Sequence, residues 1–278
     1  MSKEKEEYSL VIEAGKSTGN YFKDLWKYNE LLYFLSWRDI LVRYKQTAIG
    51  ILWSVIRPVL TIVVFSIVFG KIAKLPQNGV PYPILVLSGM LPWYFFSSAL
   101  SDSSSSLITN ASLITKVYFP RMLIPMSVIA VSFIDFAISL VIMAGLMVWY
   151  NFYPGWEIIA MPLFLLLASL TALGAGLWLS AFNIRYRDFR YIIPFMLQFG
   201  ILVSPVGFTS SIVPDEWRLL YSINPIVGVI DGFRWSILGG GFELYMPGFL
   251  LSTFVALLIL VTGVAYFRKT ERVFADII

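Results

Sequence analysis

The sequence contains neither cysteine nor histidine. Zinc sites built from these residues, Ser-His-Asp triads and Cys-His dyads are therefore excluded from this chain. Charged residues are also scarce, at 14% of the chain, compared with about 25% in an average soluble domain. The low charge and the missing catalytic residue types together argue against a soluble enzyme.

Hydrophobic residues make up 58% of the chain and are grouped in long blocks. A helix that crosses a bilayer needs about 20 mostly apolar residues, and six blocks approach that length. The predicted spans are 51–69, 83–100, 122–150, 158–182, 191–208 and 247–267. The sequence therefore predicts an all-α integral membrane protein, with a six-span domain over residues 49–278.

The basic residues are distributed unequally between the two sides that these spans define. Seventeen lysines and arginines fall on the side of the chain termini, and four fall on the other side. Positive charge concentrates on the cytoplasmic side of membrane proteins, so both termini are predicted to be cytoplasmic. Topology accounts for the basic excess, and no nucleic-acid partner is predicted. Residues 1–20 are polar and are predicted to form a flexible cytoplasmic lead.

One short segment of this lead, Ala14 to Thr18, resembles the end of a phosphate-binding P-loop. A P-loop requires glycine five residues before its Gly-Lys pair, and Leu10 occupies that position. We therefore predict no nucleotide, metal or other cofactor on this chain, and a solvated turn at this segment.

Residues 21–48 have the periodicity of an amphipathic helix. Aromatic and apolar residues recur at spacings that place them on one face: Trp26, Tyr33, Trp37, Ile40 and Tyr44. Asp39 and Arg43 are spaced to form an ion pair along the helix. The pattern is typical of a helix in the cytoplasmic membrane interface. Such a helix anchors the first span, and docking of a cytoplasmic partner is the alternative that remains open.

A second cytoplasmic segment, at about 105–117, is predicted to be a short separate helix. Ser101 and Asp102 provide a helix-start signal, and a short apolar stripe follows: Leu107, Ile108, Ala111, Leu113 and Ile114, with Lys116 at its end. An apolar stripe on an exposed helix suits contact with lipid or with a protein partner.

The loop between spans five and six, at about 212–240, remains apolar although it is predicted to lie outside. Charges and the Asn224–Pro225 break prevent a full span, which favours two short helices that re-enter the outer leaflet. These helices are expected to cap or gate a pathway, or to form an interfacial skirt. The aromatic gate candidates are Trp217, Tyr221, Phe233 and Trp235.

Two further features inside the predicted spans have functional potential. Asp135 is the only acid deep in a span, and Arg57 lies at the start of span one, where it could extend to the interface. No other span offers Asp135 a partner, so polar packing is as open as a role in transport. Aromatic residues in spans two and five suit an interfacial belt or a carbohydrate pathway: Trp93, Tyr94, Phe95, Phe96, Phe195 and Phe199.

Several motifs resemble the permease subunit of bacterial polysaccharide ABC exporters, which move O-antigen, capsule or teichoic-acid chains. These motifs are Trp37 to Ile40, Arg43 to Thr47, Arg57–Pro58, Lys116 to Arg121, Asn183 to Asp188 and Asn224–Pro225. The resemblance covers most of the chain, and the combination of motifs is more specific than any one of them.

The resemblance implies a homodimer in the bacterial cytoplasmic membrane that pairs with a separate ATPase subunit carrying ATP and magnesium. The segments around Trp37, Arg38 and Arg43 and around 105–117 resemble the elements that contact the ATPase. The substrate implied is a glycan, usually linked to a polyprenyl diphosphate, that passes between the two copies through the lipid membrane.

Three alternatives remain open at the level of sequence. An ABC exporter of lipids or drugs would have a similar architecture. An ion-coupled carrier would rely on Asp135 and would normally need a second intramembrane charge. A membrane enzyme would need an interfacial acid cluster, and Asp215–Glu216 suits the start of a helix better.

Overall fold

A computed structural model describes residues 21–45, 48–73, 79–186 and 188–274. These residues form helices joined by short turns and contain no strand, which confirms the all-α prediction for the described part. The predicted flexible lead, 1–20, with its P-loop-like segment, lies outside the described residues.

The fold contains eleven α-helices within the described residues. In chain order they are α1 (Tyr21–Lys27), α2 (Asn29–Lys45), α3 (Ala48–Phe65), α4 (Tyr82–Thr109), α5 (Ala111–Lys116), α6 (Leu123–Trp149), α7 (Met161–Arg185), α8 (Phe189–Val203), α9 (Asp215–Tyr221), α10 (Pro225–Leu238) and α11 (Met246–Thr270). The helix α3 continues as a π-helix over Ser66–Ile72, and short 3₁₀ turns lie at Trp156–Ala160, Ser210–Ile212, Gly239–Gly241 and Glu271–Val273.

Four helices of the described chain are long and apolar enough to cross a membrane: α4, α6, α7 with its preceding turn, and α11. They correspond to predicted spans two, three, four and six. The other two predicted spans fall on shorter apolar segments, Pro58–Ile72 and Phe189–Val203. The structure therefore supports a multi-pass membrane protein and identifies four of its candidate spans.

The helix α8 ends at Val203, five residues before the predicted end of span five. Ser204 is extended because Pro205 follows it, and the residue before a proline is disfavoured in helical conformation. A helix of 15 residues is about 22 Å long, less than the roughly 30 Å of a bilayer core. The predicted span was therefore too long at its outer end.

The helix α4 forms the centre of the bundle. Within its most apolar stretch 78% of the residues are buried, whereas the corresponding share is 22% for α11. It packs against α6, α7 and α10, and the outer faces of α6, α7 and α11 remain apolar and exposed, as lipid contact requires. The core therefore surrounds span two.

The serine-rich stretch after span two is a continuation of α4. We predicted a helix start at Ser101 and Asp102, and this prediction is wrong because α4 runs unbroken to Thr109. The hydroxyls of Ser104 and Ser106 donate to the carbonyls three residues before them, at 2.7 Å each. These local hydrogen bonds satisfy the hydroxyls of Ser104 and Ser106 inside the helix.

A close helix crossing joins α7 to α11. A Cβ atom on Gly174 would lie 2.5 Å from the Cα of Leu260, and one on Gly263 would overlap the carbonyl of Gly174. Small residues at such crossings let two membrane helices approach closely. Next to it, the rings of Trp178 and Tyr266 stack at 4.3 Å. This crossing fixes the last span against the bundle.

Candidate functional site

Five charged residues lie together where α2 meets α4 and α6. They are Arg38, Asp39, Arg43, Asp102 and Asp135, and we call this group the polar junction. Two arginines and three aspartates give the group a formal charge of −1. A cavity of about 430 Å³ lies between the three helices and is lined by four of these residues, without Asp135.

Arg43 bridges two carboxylates that belong to different helices. Its Nη1 lies 3.0 Å from the Oδ2 of Asp102 on α4, and its Nη2 lies 3.3 Å from the Oδ2 of Asp135 on α6. The hydroxyl of Tyr44 donates to the Oδ1 of Asp135 at 2.5 Å. Asp135 therefore has two partners, and both come from α2, the predicted interface helix, instead of from another span.

Arg38 connects α2 to the joint between α4 and α5. Its guanidinium donates to the Oδ1 of Asp39 at 2.9 Å and 2.7 Å and to the Oδ1 of Asn110 at 2.7 Å. Asn110 is the single residue between α4 and α5, and its Nδ2 donates to the carbonyl of Ser106. The predicted Asp39–Arg43 pair is replaced by these contacts.

The two arginines of α2 contact residues at different heights along α4. From Arg38 to Arg43 the helix rises about 7.5 Å, while their partners Asn110 and Asp102 are separated by about 12 Å along α4. The inner face of α2 packs on α6, with Leu35 buried, and contacts α4 through the side chain of Arg43. Its aromatic face remains open, since Trp26, Tyr33 and Trp37 are exposed.

The ion pairs of the junction are only partly buried, since the side chains of Arg43 and Asp102 are 38% and 37% exposed. Exposed pairs contribute at most about 1 kcal/mol each and rearrange readily. Such an arrangement holds α2 in register with the spans while permitting movement between them. The junction therefore connects α2 by side-chain contacts to α4, to α6 and to the residue between α4 and α5.

Part of the predicted apolar stripe near α5 belongs to the interior of the protein. Leu107 and Ile114 are buried and pack in one cluster with Leu35 of α2, and Ile108 and Leu113 border that cluster. Ala111 is half-buried and Lys116 is exposed. A role of these residues in docking stays a prediction, but burial leaves Leu107 and Ile114 no surface for a partner.

The large apolar side chains that are exposed in this segment lie just after the end of α5. Val117 and Tyr118 are exposed large side chains next to Lys116, and the chain then turns inward at Phe119. We call residues 116–118 the α5 tip. Arg57, the other intramembrane charge we predicted, lies on α3, and its side chain lies outside the described part.

A second contact, which the sequence did not indicate, joins the first described helix to the segment that follows the last one. The Oε2 of Glu271 accepts from the hydroxyl of Tyr21 at 2.8 Å, and its Oε1 accepts from the backbone N–H of Arg121 at 2.7 Å. The Arg121 guanidinium also donates to the Glu271 carbonyl. Burial raises the pKa of the Glu271 carboxyl, and these hydrogen bonds partly offset that effect. We call this group the terminal clamp.

At the opposite end of the bundle, hydrogen bonds fix the turn that follows α8. Arg234 on α10 is 2% exposed and donates to the carbonyls of Phe208 at 2.5 Å and Val206 at 2.8 Å. The hydroxyl of Tyr82, in the first turn of α4, donates to the Gly207 carbonyl at 2.5 Å. The predicted outer helices are present as α9 and α10, and α10 is packed into the core instead of lying loosely over it.

The aromatic residues proposed for a pathway divide into three groups by their exposure. Buried within the core are Trp93, Phe95, Phe96 and Phe233. Phe195 and Phe199 are exposed on α8 with their centroids 4.5 Å apart, and Trp217 is exposed on α9. Tyr94, Tyr221 and Trp235 are half-buried, and the hydroxyls of Tyr94 and Tyr221 bond to Thr61 and to the Val203 carbonyl. The buried rings are therefore closed to a substrate in this conformation, whereas the exposed rings are fully open to one.

Residues 30–238 match the family described as ABC-2 type transporter. The chain is 28% identical over 214 residues to the O-antigen export system permease protein RfbA of Myxococcus xanthus, with 76% of this chain and 82% of that protein covered. It is 26% identical to a Klebsiella pneumoniae protein of the same name, with 91% and 98% covered. It is 23% identical to the polysialic acid transport protein KpsM of Escherichia coli, with 84% and 91% covered.

Proposed function

Because this chain belongs to the ABC-2 type transporter family, we propose that it is the permease half of a polysaccharide exporter in the bacterial inner membrane. The support is the near full-length similarity to O-antigen and polysialic acid permeases together with the apolar bundle. The substrate proposed is a glycan on a polyprenyl diphosphate carrier. Six spans with both termini in the cytoplasm complete the proposed topology.

The energy source proposed is a separate ATPase subunit, bound on the cytoplasmic side to a homodimer of this chain. The α5 tip is the proposed contact because it is exposed at one end of α5. At the other end of this helix, Asn110 bonds to Arg38 of the polar junction. ATP binding would displace α5, and Arg38 and Arg43 would carry the displacement to α2 and α6. The spans then separate to open the pathway.

The polar junction is the observation that separates this mechanism from an ion-coupled carrier. A carrier would need Asp135 to exchange an ion during the cycle, whereas Arg43 and Tyr44 already hold its carboxylate. An exporter of lipids or drugs would share this junction, so the substrate class rests on the relatives alone.

Co-purification from the native membrane tests the ATPase partner. We expect the tagged chain to recover one ATPase subunit per permease, and Tyr118→Asp to reduce that recovery at least fivefold. Trp149→Asp is the matched control, because Trp149 is also an exposed aromatic but lies at the opposite end of α6. Recovery of the permease alone, with transport intact, would contradict the proposal.

A further inference from the structure

A cavity of about 560 Å³ opens at the end of the bundle that is predicted to face outward. Sites for small molecules commonly have volumes of about 300–1,000 Å³. The 3₁₀ turn before α7, the end of α10 and the start of α11 surround this cavity. It lies apart from the polar junction and from the α5 tip, both of which belong to the cytoplasmic end.

The wall of this cavity is built from aromatic rings at right angles. Trp235 meets Phe164 at a centroid distance of 6.3 Å and an angle of 80°, and Phe164 meets Phe249 at 5.5 Å and 74°. Trp156 stands beside Trp235 at 6.4 Å and 88°. Phe164 is buried, whereas Trp156 is 75% exposed and contacts the cavity-lining Trp235 without lining the cavity itself. T-shaped contacts of this kind are ordinary aromatic packing, and a ring face that borders the open space can attract an ammonium group within about 6 Å of its centroid.

Negative charge accompanies these rings. Glu243 lines the cavity, and among the described residues it has no ion pair. The helix α10 ends at Leu238, three residues after Trp235, so the partial negative charge of its C-terminus is directed to the same place. Glu157 follows Trp156 and lies beside Gly239, the residue that ends α10. The polar part of the site is thus complementary to a cation and not to a phosphate alone.

The remaining wall is apolar and continues into the surface that faces lipid. Leu163 of α7 and Met246 of α11 line the cavity and are each 60% exposed. Next to them on the same helices, Leu166 and Leu250 are also exposed. An occupant therefore reaches the site from the bilayer and can leave its hydrocarbon chain along these helices.

We propose that this cavity binds an aminophospholipid of the outer leaflet. Its ammonium group lies between Glu243 and the ring of Trp235, and an acyl chain lies against Leu163 and Met246. Lipid binding at this site would make the position of the end of α10, and of the turn that Arg234 holds, depend on the lipid composition of the membrane. This proposal requires that the end of the bundle with the cavity faces outward, as the proposed topology has it, and it does not depend on which substrate is transported.

Photolabelling of the full chain tests this assignment. The chain is reconstituted in phosphatidylglycerol vesicles that contain a trace of phosphatidylethanolamine with a diazirine in its acyl chain. We expect label in residues 156–166 and 242–250, and we expect unlabelled phosphatidylethanolamine to compete at least fivefold better than phosphatidylglycerol. Glu243→Gln should lower the labelling at least fivefold, as should Trp235→Leu.

Glu216→Gln is the matched control, because Glu216 is an exposed acid on the outer helix α9 and does not line the cavity. The Glu216→Gln variant should be photolabelled to the same extent as the unchanged chain. Equal competition by phosphatidylglycerol would overturn the proposal, since the surface would then bind any acyl chain. Unchanged labelling in Glu243→Gln, or an equal loss in Glu216→Gln, would overturn it as well.

Discussion

Arg43 is the residue on which the polar junction depends, and its replacement by methionine gives the clearest energetic prediction. Methionine keeps an apolar stem of similar length and removes the guanidinium that lies 3.0 Å and 3.3 Å from two carboxylates. Pairs with this exposure contribute about 0.2–1 kcal/mol each. The variant also leaves Asp102 and Asp135 facing each other without a cation. We therefore expect a loss of about 1–2 kcal/mol in the free energy of unfolding.

A double-mutant cycle assigns this loss to its two pairs. Arg43→Met is combined with Asp102→Asn and with Asp135→Asn, because the interaction term isolates each contact. The Asp135 pair should have the larger coupling, about 1 kcal/mol, since Asp135 is 24% exposed and Asp102 is 37% exposed.

Unfolding in mixed micelles, followed by the fluorescence of the nine tryptophans, provides the free energies. The matched control is Lys269→Met, a basic residue in the last turn of α11 outside the junction. Coupling below about 0.2 kcal/mol with both aspartates would refute the view that these pairs hold α2 to the spans.

Three further predictions concern the packing that surrounds these sites. Gly174→Val should lower the free energy of unfolding by about 1–3 kcal/mol through overpacking. Gly145→Val is the control in the same unfolding assay and should be near neutral, because a Cβ atom there meets nothing within 4 Å. Arg234→Met should leave two buried carbonyls without their donor and increase proteolysis of the turn at 204–210, and unchanged protection would contradict its assigned role. Glu271→Ala should lower the free energy of unfolding by about 1–3 kcal/mol. Glu271→Gln should lower it much less, because glutamine still accepts from the Arg121 N–H. Equal losses in the two variants would show that the charge matters more than the hydrogen bond.

The membrane class and most of the long helices could be predicted from the sequence because an apolar block of span length has few alternatives. The predicted spans 122–150 and 247–267 match α6 and α11 closely. Span five was extended too far, since the apolar residues after Val203 were counted without the effect of Pro205 on Ser204. Composition thus predicts which segments are apolar better than it predicts where a helix stops.

The polar junction could not be predicted, because its members are distant in the sequence. Asp135 and Tyr44 are separated by 91 residues, and Arg43 and Asp102 by 59. The local signals favoured the spacing of Asp39 and Arg43 along one helix, but α4 and α6 offered Arg43 two carboxylates instead. The unmatched charge in span three was the available clue, since such a charge requires a partner.

The stripe near α5 shows a second limit of sequence patterns. Periodicity identified Leu107 and Ile114 as one apolar face, but it did not identify what that face contacts. The structure shows that this face packs on Leu35 of α2, so the stripe joins two elements of the same chain. The residues open to a partner, Val117 and Tyr118, follow the helix and lack its periodicity.

The proposal of polysaccharide export is tested most directly by deleting this permease in its native bacterium and measuring the glycan on both sides of the membrane. The account predicts that surface polysaccharide disappears, that its lipid-linked form accumulates in the cytoplasmic leaflet, and that the intact chain restores export while Arg43→Met restores it only in part. Normal surface polysaccharide in the deletion strain, with no lipid-linked glycan accumulating inside, would contradict the account.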